Sequence, residues 1–270
     1  MIYRNETKRL VFHFFLHPSW KSLKCVRLHL NCLKKYSFIF THALFVISVD
    51  DINDTDMILE FEHELLNLGF KGEIEFKVRE NTKFYESKTL DEEIVQKLPE
   101  LDGITFFGHS KGVGNELFDS VSWTQLETWI AGLYFLSLEF YYEAENKLYG
   151  VHGVTYGPFK THWLDYDNTN HWVYSGTFFW VNTRRLYDKL DREGKHIRFC
   201  NDRFFSELFL GDVLPFDEQT EFSNVVGSHN ESYLHGTDIN YYDYVTDYIK
   251  MINNDRDYKN FLKFLEEVRP

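Results

Sequence analysis

The chain has 270 residues, 43% of them hydrophobic, which is enough apolar sequence for one large α/β domain and excludes wholesale disorder. Its 42 Asp and Glu residues outnumber its 29 Lys and Arg residues, and the net charge of −13 excludes nucleic acid as a partner. The three cysteines, Cys25, Cys32 and Cys200, are too few and too scattered for a disulfide framework.

The N-terminal segment predicts where the protein resides. Its apolar run is six residues long, is interrupted by His13 and ends at His17 and Pro18. Such a run is too short for a signal peptide or a membrane span. We therefore expect no transmembrane segment and a cytoplasmic location, either free or peripheral at a membrane surface.

The first half of the chain alternates segments typical of strands and of helices. Strands are predicted at 9–16, 43–49, 72–78 and 103–107, and helices at 22–36, 54–69 and 89–98. Thr89 and Glu92 form a capping-box pattern that predicts the start of the last of these helices. Short strands separated by helices of about 10–15 residues indicate βαβ units and a mainly parallel sheet.

The second half has a different rhythm. Ser122 and Gln125 predict the cap of a long helix over 124–149, and 150–172, rich in Gly, His, Asn and Trp, is typical of loops around a site. A strand followed by a helix is predicted for 173–190, and further helices are predicted for 201–214 and 257–268. The chain has no repeat and no linker, so we expect a single domain.

The sharpest local pattern is the glycine-rich turn at 108–112. Gly108-His109-Ser110-Lys111-Gly112 matches the G-x-S-x-G nucleophile elbow of α/β-hydrolases, placed after a parallel strand. An elbow turns directly into a helix, whereas Gly112, Gly114 and Asn115 are poor helix formers, so we expect no helix before about residue 124. A catalytic triad would also need an acid, Asp202 or Asp212, and a histidine base, His229 or His235.

The same turn has two other interpretations. Glycines let backbone N–H groups approach an anion, and His109, Ser110 and Lys111 add donors and positive charge, which is typical of a phosphate-binding turn. The alternative is a plain surface turn with a solvated lysine.

A pair of carboxylates follows the second predicted strand. Asp50 and Asp51 lie at the carboxyl edge of the predicted sheet, where open α/β sheets bind their ligands. The same stretch also offers Asp54 or Thr55 as a helix N-cap.

Between residues 101 and 210, several short motifs follow one another in a particular order. An HSKG turn after a strand precedes Trp123 and Trp129, then YSGTFFWVNTRRL at 174–186, then Arg203 and Glu207 spaced four apart. This combination resembles a family of polysaccharide-type glycosyltransferases from bacteria and large viruses. Thr177 stands where that family tends to have Asn.

The resemblance implies a fold and an activity. It implies a GT-A-like, Rossmann-related α/β fold with a mainly parallel sheet, flanking helices and a C-terminal helical extension. Residues 1–115 would bind the nucleotide sugar, 116–225 would form the acceptor and catalytic half, and 226–270 would be the extension. The enzyme would transfer a sugar from a nucleotide-sugar donor to a hydroxyl of a glycan or lipid-linked glycan, in polysaccharide assembly.

The resemblance also implies roles for particular residues. The donor would contact Asp50, Asp51 and the turn residues His109, Ser110, Lys111 and Gly112. The acceptor would contact Trp172, Ser175, Gly176 and Trp180, with Phe178 and Phe179 as further candidate sugar platforms. Glu207 is the first candidate for the catalytic base and Asp202 the second. The non-catalytic alternative for Glu207 is an ion pair with Arg203.

Metal dependence stays open at this point. Many GT-A enzymes hold Mn²⁺ or Mg²⁺ with an Asp-x-Asp after the fourth strand, but GHSKG occupies that place here, and the nearby Asp165-Tyr166-Asp167 lies in the predicted loop. Cationic side chains could instead offset the charge of the diphosphate. A non-catalytic carbohydrate-binding protein is the remaining alternative to a transferase or a hydrolase.

Overall fold

The computed structural model describes residues 7–82, 85–117, 122–150, 153–157, 160–164, 170–174, 177–199, 205–214, 222–224 and 255–270. The strands are β1 (Lys8–Leu16), β2 (His42–Val49), β3 (Glu73–Glu80), β4 (Ile104–His109), β5 (Thr155–Gly157), β6 (Lys160–Leu164), β7 (Asn170–Tyr174), β8 (Phe179–Asn182) and β9 (Phe222–Asn224). The α-helices are α1 (Lys24–Tyr36), α2 (Thr55–Leu66), α3 (Tyr85–Leu90), α4 (Val113–Leu117), α5 (Trp123–Tyr134), α6 (Tyr141–Tyr149), α7 (Thr183–Glu193), α8 (Phe205–Val213) and α9 (Asp255–Val268). Single π-helical turns at Asp91–Val95 and Phe135–Glu139 continue α3 and α5.

The main sheet has the strand order β3-β2-β1-β4-β8-β5-β9. The strands β1 to β4 are mutually parallel, and β8 runs antiparallel to both β4 and β5. The chain builds outward from β1 to β3 and then returns to the other side of β1, so the order reverses between β1 and β4. This mixed, mostly parallel sheet confirms the predicted Rossmann-related α/β class.

Helices cover both faces of the sheet because β1 carries apolar side chains on both. Leu10, Phe12 and Phe14 pack with α1, α2, α5 and α9 on the first face. Val11 packs on the second face with β2, β4 and the helices α3, α7 and α8. The nearly continuous apolar run of β1 is therefore that of a strand buried on both sides.

One long predicted helix is divided in the structure. The long helix predicted for 124–149 starts as expected, since Ser122 accepts a hydrogen bond from Gln125 N at 3.4 Å, but it is interrupted by the π-turn and by Phe140. Within the π-turn the Ser137 carbonyl accepts the indole N–H of Trp180 at 2.9 Å, a long-range contact that no local pattern encodes. The interruption gives two helices, α5 and α6.

The predicted capping box is wrong. The helix begins upstream, and Thr89 lies inside α3 instead of at its cap. Its hydroxyl contacts His13 and Arg79, so tertiary partners replace the expected local one. The segment 150–172 is also less irregular than predicted, because β5 pairs with β8 and β6 pairs with β7.

The C-terminal helix α9 is part of the core. Phe261, Phe264 and Leu265 are buried in the core on the first side of the sheet, where α9 packs against α1 and α5. Asn31 Nδ2 donates to the Val268 carbonyl at 2.9 Å. The predicted helix at 257–268 is confirmed with a start at Asp255. The assignment of 226–270 as an extension stays a prediction. In the described part of the chain, no helix has the length and apolar content to cross a membrane.

Candidate functional site

A cavity of about 450 Å³ opens at the carboxyl edge of the sheet, next to β1 and β4. This is the point where the strand order reverses, the usual ligand site of open α/β sheets. Its lining comes from four strand ends, from α3, from the turn after β4 and from α4: His13, Phe15, His17, Asp50, Asn81, Glu86, His109, Ser110, Lys111, Gly112, Val113, Gly114 and Leu117. The structure therefore brings together Asp50 and the turn that the sequence singled out.

Hydrogen bonds fix the turn after β4 in place. Ser110 N donates to the His13 carbonyl at 2.8 Å, and Ser110 Oγ accepts from Phe15 N at 2.9 Å. The Lys111 carbonyl accepts from His29 Nε2 at 2.8 Å. Further along, both carboxylate oxygens of Glu116 accept backbone N–H groups at the start of α1, each at 2.8 Å. The turn is thus tied to β1 and to α1, which makes it a rigid part of the cavity wall.

The expectation that no helix follows the turn is wrong. The strand β4 runs two residues further than predicted, to His109, and α4 begins at Val113, directly after Gly112. The low helix propensity of Gly114 and Asn115 is overridden by the tertiary contact of Glu116 with α1. A strand–turn–helix arrangement is therefore present at GHSKG.

Ser110 nonetheless lacks two features of a nucleophile elbow. The elbow holds its serine on a strained backbone, whereas among the described residues the one non-glycine residue with positive φ is Thr177. Ser110 is also buried, with its Oγ engaged by the backbone of β1. The proposed triad partners Asp202, His229 and His235 lie outside the described residues, as does the side chain of Asp212.

The turn offers side chains to the cavity more than it offers backbone N–H groups. Ser110 N and Lys111 N both donate to protein carbonyls, those of His13 and His109. Gly112 has φ +91, a conformation that favours glycine, and a Cβ there would also lie 2.5 Å from Leu126 Cδ1 on α5. The half-buried Lys111 supplies positive charge to the cavity wall, and the expected backbone cradle is only partly available.

The two adjacent carboxylates have different roles. Asp50 is exposed, lines the cavity and accepts from Asn81 Nδ2 at 3.2 Å. Asp51 accepts from the backbone N of Asn53 at 2.9 Å and does not line the cavity. Asp54 caps α2 by accepting from Met57 N at 3.3 Å. Of the pair, Asp50 is the donor-site candidate, and Asp51 stabilises the turn into α2.

A polar network that sequence reasoning missed lies between the sheet and α3. His13 pairs in register with His109, so both imidazoles project from the same face of the sheet. His109 Nδ1 lies 3.7 Å from Glu86 Oε1 on α3. Burial, followed by the charge of Arg79 and the neighbouring imidazole of His109, holds the pKa of His13 well below its ordinary value. The available signal was a histidine interrupting an otherwise apolar buried strand.

Three of the predicted sugar platforms are corrected by the structure. Phe178, Phe179 and Trp180 are fully buried. Trp180 packs against Phe40 and Phe106 and donates its indole N–H to Ser137. These residues fill the core because β8 is an inner strand with helices on both faces, so none of them is placed to bind an acceptor.

The remaining acceptor and catalytic candidates are only partly described. Trp172 lies in β7, opposite His162 in the hairpin, and Glu207 is the third residue of α8. Ser175, Gly176, Asp202, Arg203 and the loop residues Asp165 to Asp167 lie outside the described residues. Their roles stay predictions.

Thr177 carries backbone strain. It is the residue two positions before β8, has φ 57, and its buried Oγ1 has no hydrogen-bond partner among the described residues. A β-branched residue in this left-handed region is strained, whereas Asn adopts the region readily. The Asn of the glycosyltransferase motif is therefore what the backbone favours at this position.

Thr177→Asn is expected to stabilise the protein by about 1 kcal/mol, because relief of left-handed strain outweighs the small increase in volume. For a chain of this size that is a rise in melting temperature of about 2–4 °C. Thr177→Val is the matched control, since it removes the unpartnered hydroxyl but keeps the branched Cβ. A melting temperature for Thr177→Asn at or below that of Thr177→Val would show that strain does not dominate here.

The fold and the cavity define a Rossmann-like α/β protein with a polar site at its topological switch point. Within the described ranges no group of three or more His, Cys, Asp or Glu residues is placed to hold a metal ion. No family model matches the chain, and no curated protein matches it.

Proposed function

We propose that the protein is a glycosyltransferase that binds a nucleotide sugar in the switch-point cavity and transfers the sugar to an acceptor hydroxyl. The observation that carries the proposal is the convergence of Asp50 and Lys111 on one cavity at the reversal of strand order. The order of motifs over 101–210, which resembles polysaccharide-type glycosyltransferases, supports the same function.

Lys111 gives the cavity a cation for a nucleoside diphosphate leaving group, on the turn after β4, whereas Glu86 lines the cavity from α3. The chain as a whole carries a net charge of −13, so an anionic ligand needs a local cation. Lys111 lines the cavity on a turn fixed by hydrogen bonds, and His109 lies beside it. These side chains would offset the negative charge that develops on the diphosphate as the glycosidic bond breaks.

The acceptor would approach from the side of α8. Ser206 N donates to Ser87 Oγ at 3.1 Å, which holds the start of α8 against α3, and the preceding residue of α3, Glu86, lines the cavity. Glu207 follows Ser206 directly, and α8 also contacts β7, the strand that carries Trp172. This placement supports Glu207 as the base that accepts the proton of the attacking hydroxyl in an inverting transfer.

The proposal is tested first by binding. Nucleoside diphosphates and nucleotide sugars of uridine, guanosine, cytidine and thymidine are screened by thermal shift, with and without Mn²⁺. A ligand at 100 times its Kd stabilises by about 2.7 kcal/mol, which corresponds to a shift of about 5 °C or more. The absence of a shift with every nucleotide would contradict the proposed function.

Lys111→Ala is expected to weaken nucleoside diphosphate binding by about 10- to 100-fold, the usual effect of removing a charged hydrogen-bond donor. The melting temperature without ligand should stay close to that of the wild type, because the backbone N–H and carbonyl of Lys111, which the substitution keeps, hold the turn in place. Isothermal titration with the best nucleotide of the screen measures the effect. Lys259→Ala, on the exposed side of α9, is the control for loss of a positive charge. Equal affinities in Lys111→Ala and Lys259→Ala would remove Lys111 from the site.

A further inference from the structure

One ring nitrogen of His13 is hydrogen-bonded, and the other has no hydrogen-bond partner among the described residues. Its side chain is 2% exposed and lines the cavity. Nδ1 lies 2.8 Å from Thr89 Oγ1, whereas the buried Nε2 has no hydrogen-bond partner in the part of the chain that the structure describes. An unsatisfied buried imidazole nitrogen is unfavourable unless a ligand or an ordered water completes its hydrogen bonding.

The tautomer of His13 follows from its partners. Arg79 Nη2 donates to Thr89 Oγ1, and a guanidinium has no acceptor, so this hydroxyl must use its own proton elsewhere. Among the described residues, the other hydrogen-bond partner of the Thr89 hydroxyl is His13 Nδ1. Thr89 therefore donates to Nδ1, and the ring proton of a neutral His13 resides on Nε2. Arg79 is itself held by Glu92 at 2.9 Å and by Ser48 at 3.3 Å, which fixes this chain of donors.

The surroundings keep this donor uncharged. Burial lowers the pKa of His13, and the charge of Arg79 and the neighbouring imidazole of His109 lower it further. A phosphate would gain no charge attraction from the neutral imidazole, and Glu86, which lines the same cavity and lies 3.7 Å from His109, would repel it. An uncharged ligand oxygen needs no positive partner and is not repelled by Glu86.

His29 shows what a purely structural buried histidine looks like in this protein. Its Nδ1 contacts Tyr134 Oη at 2.9 Å, and its Nε2 donates to the Lys111 carbonyl at 2.8 Å. Both nitrogens are satisfied, and His29 does not line the cavity. His13 differs from it in both respects.

We propose that His13 is a ligand-recognition residue whose Nε2–H donates a hydrogen bond to an uncharged carbonyl or hydroxyl oxygen of the molecule bound in the cavity. For a nucleotide sugar this assignment rests on the proposed function, and it places the base or the sugar, not the diphosphate, at His13. The diphosphate then lies toward Lys111. Asn81 Oδ1, a buried acceptor without a partner among the described residues, lines the same cavity and is available to an N–H or O–H of that uncharged group.

The first measurement is made on the unliganded protein. Histidine side chains labelled with ¹⁵N are observed by long-range correlation NMR from about pH 8 to about pH 5.5, where an unperturbed histidine titrates. We expect a neutral His13 with its proton on Nε2 throughout. A proton on Nδ1, or titration of His13 within this range, would overturn the assignment.

The second measurement adds ligands of known charge. The probes are the four nucleosides uridine, guanosine, cytidine and thymidine, the sugars glucose, galactose and N-acetylglucosamine, and inorganic pyrophosphate. At least one uncharged probe should shift the His13 Nε2–H resonance, and whether it is a nucleoside or a sugar shows which end of the donor lies there. A shift with pyrophosphate alone, or with no probe at all, would overturn the proposal.

The variants Thr89→Val and Thr89→Ser separate recognition from folding without touching the cavity. Thr89→Val removes the hydroxyl that fixes the tautomer and should weaken binding of the uncharged probe by about 3- to 10-fold, whereas Thr89→Ser should bind like the wild type. Nucleotide binding that leaves the His13 signal unchanged, with equal affinity in both variants, would overturn this inference and leave the proposed function intact. A sugar or nucleoside that shifts His13 without any turnover of nucleotide sugars would support the inference and contradict the transferase.

Discussion

Glu207→Gln is expected to lower kcat for glycosyl transfer by about 10²- to 10⁴-fold, the usual contribution of a general base. The amide keeps the size and hydrogen-bonding shape of the carboxylate but accepts no proton. Nucleotide affinity should be unchanged, because the residue follows Ser206 on the α3 side of the cavity and not in the turn that carries Lys111. Turnover, nucleotide Kd and melting temperature of this one variant are the measurements.

The alternative for Glu207 is an ion pair with Arg203, and it gives a different result. Loss of an exposed pair of this spacing costs only about 0.3–0.5 kcal/mol and would leave turnover nearly intact. Glu266→Gln, on the exposed side of α9, controls for the loss of one negative charge. Turnover of Glu207→Gln within about fivefold of the wild type would exclude Glu207 as the base and make Asp202 the next candidate.

Acidification from about pH 7 to about pH 5 is expected to destabilise the fold by about 2 kcal/mol through His29 alone. Burial lowers the pKa of His29 to about 3, from an ordinary value of 6.5. Below pH 6.5 the unfolded chain therefore binds a proton that the native protein excludes. The stability is fully present above that pH and is lost as the pH falls toward the folded pKa, by about 1.4 kcal/mol per unit. His13, whose pKa is also lowered by burial, acts in the same direction.

Urea unfolding of the wild type and of His29→Gln at the two pH values measures this dependence. The variant should be less stable at neutral pH, because His29 joins Tyr134 to the turn after β4, but its stability should fall less steeply with acid. His63→Gln, an exposed position on α2, is the control and should keep the slope of the wild type. The same slope in His29→Gln and in the wild type would show that His29 does not exclude protons in the native state.

The sequence by itself determined the βαβ half of the protein and the edge of the sheet at which the candidate site lies. The strands β1 to β3 and the helices α1 and α2 were predictable because each buries a face whose periodicity is visible locally. Asp50 and the 108–112 turn could be placed at one edge because the ends of parallel strands share an edge whatever their order. The C-terminal helix was predictable from its apolar stripe, Phe261, Leu265 and neighbouring residues.

The tertiary structure alone decided what individual side chains do. An SGTFFW motif looks the same whether its strand lies at an edge or inside the sheet, and only the position of β8 between β4 and β5 shows that Trp180 is buried. A helix after Gly112 opposes local propensity and depends on Glu116, whose partners at the start of α1 are about ninety residues away in sequence. The tautomer and neutrality of His13 depend on Thr89 and Arg79. Thr89 contacts His13 because α3 crosses the second face of the sheet, and Arg79 contacts Thr89 from β3, two strands away from β1. Contacts of this kind join residues far apart in the chain, so periodicity and propensity carry no information about them.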